Sequence, residues 1–169
     1  ADSCVVTIPA GCLKKGALFD ADPLSERKRE AISYLYMGSY KKVLLTFDRI
    51  FWPSDPPFLG MILDNETPLG KYLLVDNLWA SSGRPILEAV LFGTGGDWAA
   101  HKSDYEIRDV VLDFMKDAMG FEVHESCVNV HVTRWEEDPY SLGAYSSMSL
   151  GALGRHVKEL SRPEWDGQL

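Results

Sequence analysis

"KKVLLTFDRIFW", residues 41 to 52, decides how the chain is read. Val43, Leu45 and Phe47 alternate with Leu44, Thr46 and Asp48, which is the two-residue period of a β-strand. Its apolar heart is nearly continuous, so burial on both faces is expected. The breaker "SDPPF" (54–58) ends it, and three further strands follow at 58–64, 71–77 and 86–93. Upstream, "LSERKREAISYLYMG" (24–38) reads as a helix stopped by Gly38, and "SCVVTIP" (3–9) as a β-branched strand ended by Pro9. Downstream, residues 103–120 form the clearest helix, with Ser103 and Glu106 placed for a capping box and an apolar stripe of Ile107, Val110, Val111, Phe114 and Met115. Residues 128–135 read as the last strand and 154–163 as a short closing helix. This order predicts an α+β fold, a mixed β-sheet of about five to six strands flanked by helices.

Composition sets the outer bounds. The 169 residues are 46% hydrophobic and 25% charged, values of an ordinary globular protein, and the length suits one domain. A net charge of −8 argues against nucleic acid and mildly favours a cationic ligand. The longest apolar runs are strand-length, so no membrane span is expected. The first residues, "ADSCVVTIP", contain neither a basic region nor an apolar signal core, so targeting information lies elsewhere or the chain is a piece of something longer. An intracellular setting is favoured. Cys4, Cys12 and Cys127 form no CxxC and are expected to be reduced core thiols. The four histidines have no ligand-like spacing, and no metal site is expected.

Residues 133–151, "TRWEEDPYSLGAYSSMSLG", are harder to explain. Trp135, Tyr140 and Tyr145 recur every five residues around an Asp138-Pro139 turn, a spacing that fits neither helix nor strand. Such aromatics serve either as packing or as a wall for a flat ligand.

Three blocks, "SCVVTIPAGCLKKG", "GSYKKVLLTFDRIFW" and "TRWEEDPYSLGAYS", resemble in order and interval the hallmarks of the flavin-dependent amine oxidases. That group includes polyamine, monoamine and L-amino-acid oxidases and lysine-specific histone demethylases. The second and third blocks look more like the polyamine oxidase and histone demethylase branch. The family's Gly-rich dinucleotide fingerprint is not found in this chain, and "GTGGDW" (93–98) lacks its spacing. The resemblance therefore implies a single substrate-binding domain over residues 1–169. Residues 1–9 and 133–147 would meet an FAD-binding domain of the same parent that is absent from this chain.

The resemblance also implies roles. Lys42 falls where the family holds a water against the flavin, with Lys41 beside it as a rival for the register. Tyr145 would form a wall of an aromatic cage over the ring and meet the substrate amine. Trp135 and Tyr140 would lie by the flavin, and Ala144 would let the backbone approach it. Thr7, Ile8 and Pro9 would form a strand end that touches the cofactor, and Trp79 would line the substrate channel. Asp138 and Pro139 are expected to shape the turn.

The implied parent reaction is FAD-dependent oxidation of an amine C–N bond by hydride transfer, with dioxygen reoxidising the flavin to give hydrogen peroxide. The substrate would be a polyamine, a monoamine or a peptidyl lysine. Arg84 and Arg134 are the cations that an amino-acid carboxylate would need, and neither can be placed from sequence. The isolated chain is expected to be inactive. The rival reading is a non-catalytic binding module derived from such a domain.

Overall fold

A computed structural model describes residues 2–16 and 24–167, apart from the side chains of residues 63–66. In chain order its elements are α1 (Ala10–Lys15), α2 (Glu26–Ser33), β1 (Leu35–Gly38), β2 (Tyr40–Phe47), β3 (Phe58–Thr67), β4 (Gly70–Asn77) and α3 (Trp79–Ser82). There follow β5 (Ile86–Phe92), α4 (Thr94–Ala99), α5 (Asp104–Met119), α6 (Glu122–Ser126), β6 (Cys127–Val132), β7 (Tyr145–Met148) and α7 (Gly154–Leu160). The chain divides into two compact units, one made of Ala1–Gly38 with Trp135–Leu169 and the other of Ser39–Arg134.

The contiguous unit is a five-stranded sheet in the order β3-β4-β5-β2-β6. Every ladder in it is antiparallel, so the α+β class and strand number match the sequence reading, with strand directions narrower than a mixed sheet. The stretch at 41–52 supplies β2, flanked by β5 and β6. Val43, Leu45 and Phe47 are buried with Leu73, Val75, Leu87, Ala89 and Leu91, and against Ile107, Val111, Leu112, Phe114 and Met115 of α5. Each such side chain contributes roughly 1.5–3 kcal/mol by leaving water. Burial on both faces does not hold: Lys42, Leu44 and Thr46 on the opposite side are half-buried. An antiparallel sheet needs only one face against a core.

Two polar devices fix the ends of this unit's elements. Ser103 accepts from the Glu106 amide while the Glu106 carboxylate accepts from the Ser103 amide, the capping box that starts α5. Asn77, buried at the end of β4, accepts from the indole of buried Trp52 at 3.1 Å. Its amide nitrogen lies 3.2–3.3 Å from the carbonyls of Pro53, Ser54 and Pro56. A primary amide has two N–H donors, so three carbonyls share them and the breaker segment is tied to the sheet.

The other unit corrects the sequence reading in several places. Residues 24–38 are not one helix: α2 ends at Ser33, and Leu35–Gly38 form β1. The apolar spacing of Ala31, Ile32 and Leu35 suits a helix, but pairing with β7 overrides it, with Leu35 opposite Met148 and Gly38 opposite Tyr145. The strand expected at 128–135 ends at Val132 and is not the last. Residues 3–9 have strand composition yet form no ladder among the described residues, and Val5 and Ile8 stay exposed. Pro9 instead precedes the missed helix α1. The thiols are free, but Cys4 is exposed and Cys12 and Cys127 are only half-buried, so they are not core residues. Among the described residues no helix is long and apolar enough to cross a membrane.

Candidate functional site

The segment between Trp135 and Tyr145 holds itself together. Asp138 accepts from the Tyr140 amide at 3.1 Å and from the Ser141 hydroxyl through its two carboxylate oxygens. These bonds favour the carboxylate and hold the Asp138 pKa below its ordinary value. The Asp138 carbonyl accepts from the Leu142 amide at 2.9 Å, and Gly143 donates to the Trp135 carbonyl at 3.0 Å. Leu142 and Gly143 both have positive φ, 52° and 139°. Asp138 thus shapes the turn.

Tyr145 begins β7 opposite Gly38. A Cβ built on Gly38 would lie 2.5–2.9 Å from three atoms of the Tyr145 ring, so the ring rests on the glycine backbone. Gly38 is therefore where it is because of this ring, not as a helix stop. Trp135, Tyr140 and Tyr145 are 46%, 80% and 50% exposed, which excludes core packing for all three within this chain. Trp135, Ala144, Tyr145 and Pro9 line one open hollow of about 340 Å³, together with Met37 and Gly143. Tyr140 and Thr7 do not line it, and Ile8 lines a second, larger hollow that Pro9 shares. The smaller hollow offers exposed aromatic side chains beside backbone bared by a glycine and an alanine, a surface suited to a planar ring.

Lys42 and Trp79 belong to the other unit. The strand period separates the two lysines: Lys41 is wholly buried, with its ammonium 3.4 Å from the Thr133 carbonyl, while the Lys42 side chain is 44% exposed. The Lys42 ammonium is 2.6 Å from a Glu88 carboxylate oxygen. The bond to Glu88 raises its pKa above 10.5 against a smaller opposing effect of burial. Asp76, opposite Glu88 on β4, has its pKa raised above 3.8 by burial and by the Glu88 charge. Sequence reasoning missed this pair of acids, although Glu88 is the one charge in "ILEAVLF". Trp79 is half-buried at the start of α3 and donates its amide to Asn77. Arg134 is bound to Asp104 at 2.6 Å and to the Lys102 carbonyl, so its guanidinium is committed within its own unit, and Arg84 is exposed. Gly95 and Gly96 of "GTGGDW" pack α4 tightly on Leu69 and Ser39. No group of three or more metal-ligating side chains occurs among the described residues.

The family model of the flavin containing amine oxidoreductases matches residues 1–168. The chain belongs to this family. The amine oxidoreductase chain is 31% identical over 162 residues to lysine-specific histone demethylase 1 homolog 3 of Arabidopsis thaliana, covering 96% of this chain and 10% of that protein. It is 32% identical over 151 residues to polyamine oxidase 4 of Oryza sativa subsp. japonica, covering 89% of this chain and 30% of that one. Its fold is that of cyclohexylamine oxidase from Brevibacterium oxydans, with a TM-score of 0.71 at 20% identity over 96% of this chain and 35% of the other. It thus spans a tenth to about a third of the length of these proteins.

Proposed function

We propose that this chain is the substrate-binding part of an FAD-dependent amine oxidase, with residues 1–9 and 133–147 facing an FAD-binding domain of the same parent. The observation that carries the reading is the exposed hollow of Pro9, Trp135, Ala144 and Tyr145 in a chain that the family matches over residues 1–168. The chemistry that a bound flavin would supply is acceptance of hydride from the amine-bearing carbon and reoxidation by dioxygen, which would give hydrogen peroxide. Trp135 would hold the ring in this hollow with Ala144 and Pro9, and Tyr140, Thr7 and Ile8 would meet the cofactor outside it. Tyr145 presents its face to the substrate, attracting an ammonium, aiming the amine and excluding water. Lys42 supplies a cationic, water-holding group that steadies developing negative charge. Trp79 borders the path of the amine. Names of relatives, a histone demethylase and a polyamine oxidase, support a polyamine or peptidyl lysine as substrate.

The test uses the flavin-loaded parent. Tyr145→Ala lowers amine-driven flavin reduction and weakens amine binding by roughly 0.5–2 kcal/mol, while Tyr145→Phe is much milder because the ring face remains. Lys42→Met slows reduction or reoxidation about tenfold or more. Rates unchanged in both variants refute the reading. A parent that purifies without flavin absorbance favours the non-catalytic module.

A further inference from the structure

Glu88 sits in the middle of β5, where every neighbour in "ILEAVLF" is apolar. It is in register with Leu44 of β2 on one side and with Asp76 of β4 on the other, so it shares the face of the sheet opposite the core with Lys42. Glu88 is only 5% exposed. A carboxylate buried to that degree loses its hydration and must be paired. Its partner is Lys42, the diagonal neighbour two residues along the ladder, since Lys42 itself lies opposite Val90.

The pair is lopsided. An ordinary surface ion pair exposes both groups, and a buried one hides both; here the acid is hidden and the lysine displayed. For stability alone a leucine at this position would serve as well, because it removes a desolvated charge from the sheet while Lys42, 44% exposed, keeps its ammonium in water. What the carboxylate adds is direction. It holds one of three ammonium donors at 2.6 Å and fixes a long, mobile side chain at the sheet face.

We propose that Glu88 is a positioning residue for Lys42, holding its ammonium charged and aimed for the reaction assigned to it above. The inference rests on the flavin-side reading of Lys42. Asp76 strengthens the device, since its carboxyl adds negative potential beside Glu88. Tyr40 on β2 also acts on Lys42, and His131 of β6, in register with Leu44, is the remaining titratable group on this side of the neighbouring strand.

The experiment compares Glu88→Gln, Glu88→Leu and Lys42→Met in the flavin-loaded parent. Stopped-flow reduction and reoxidation are measured, together with amine-reactive labelling of Lys42 against pH, read by mass spectrometry. Both Glu88 variants are expected to slow the Lys42-dependent step about tenfold, as for loss of one charge-assisted hydrogen bond. They should also move Lys42 labelling to lower pH. Glu88→Leu should keep or raise the thermal midpoint while remaining slow, which a merely structural glutamate would not do. If Lys42→Met slows the enzyme and both Glu88 variants match wild type, the proposal is overturned and the reading of Lys42 survives. If Lys42→Met is itself silent, both fall. Unchanged labelling in both Glu88 variants also overturns the proposal, because the pair then does not set the state of Lys42.

Discussion

Replacing Gly38 by alanine is the sharpest probe of how Tyr145 is held. The glycine has extended backbone, so alanine meets no dihedral penalty, and the effect comes from the added methyl alone. That methyl would stand 2.5, 2.8 and 2.9 Å from three ring atoms of Tyr145, where carbon contacts settle at about 3.5–4.0 Å. The ring must retreat by roughly 1 Å. Overpacking of this kind costs about 1–3 kcal/mol of stability. A displacement of that size in a group that aims a substrate lowers turnover by as much as roughly a hundredfold. The decisive measurement is a double-mutant cycle read by urea unfolding and by amine-driven flavin reduction. With Tyr145→Ala in the background the clash is gone, and alanine at 38 gains about 0.5–1 kcal/mol over glycine in a strand. The sign of the Gly38 substitution therefore reverses, giving a coupling of at least about 1.5 kcal/mol. Additive effects, or a Gly38→Ala variant that reduces its flavin normally, would refute both the packing and its bearing on Tyr145.

Further expectations follow from the contiguous unit. Asn77→Ala leaves the buried Trp52 indole without its acceptor and frees three loop carbonyls; a loss of about 2–4 kcal/mol in chemical unfolding is expected. Ser103→Ala removes the cap of α5 and should cost about 1 kcal/mol by the same measurement. Asp76, whose folded pKa is raised by burial and by Glu88, opposes folding once ionised. Its penalty is absent below the ordinary value of 3.8 and sets in as pH rises through the higher folded value. Asp76→Asn should therefore raise the thermal midpoint at neutral pH and leave it unchanged in acid. Lys42 has the opposite sign: its raised pKa stabilises below 10.5, and that contribution fades as pH rises through the folded value, a fade that Glu88→Gln should abolish.

The elements legible in sequence were those whose own residues specify them. The alternation around Val43, Leu45 and Phe47, and the Ser103–Glu106 box before an apolar stripe, each contain their reason locally. What misled was decided by distant partners. Leu35–Gly38 reads as the tail of a helix until Tyr145–Met148 is there to pair with it. Residues 3–9 have strand composition but no ladder among the described residues. The helices α1, α4 and α6 are short, which leaves little periodicity to detect. At the candidate site, the five-residue spacing of Trp135, Tyr140 and Tyr145 left packing and a ligand wall open, and their exposure excludes core packing within this chain. Gly38 under Tyr145 and Glu88 beside Lys42 were invisible, because cross-strand register is not written in either strand alone.

The pairing of Gly38 with Tyr145 also sets a timetable. As the chain leaves a ribosome, β1 emerges before the sheet, and β7, its ladder partner among the described residues, waits until the whole of Ser39–Arg134 has been made. At ordinary elongation rates that is a delay on the order of ten seconds, long enough for the strands from β2 to β5 to pair first, with β6 following just ahead of β7. The aromatic hollow is thus completed after most of that sheet. Leu35–Gly38 spend the interval as a nascent strand without that mate, and a released chain truncated before Tyr145 would hold every strand of the sheet but lack the tyrosine wall of the hollow.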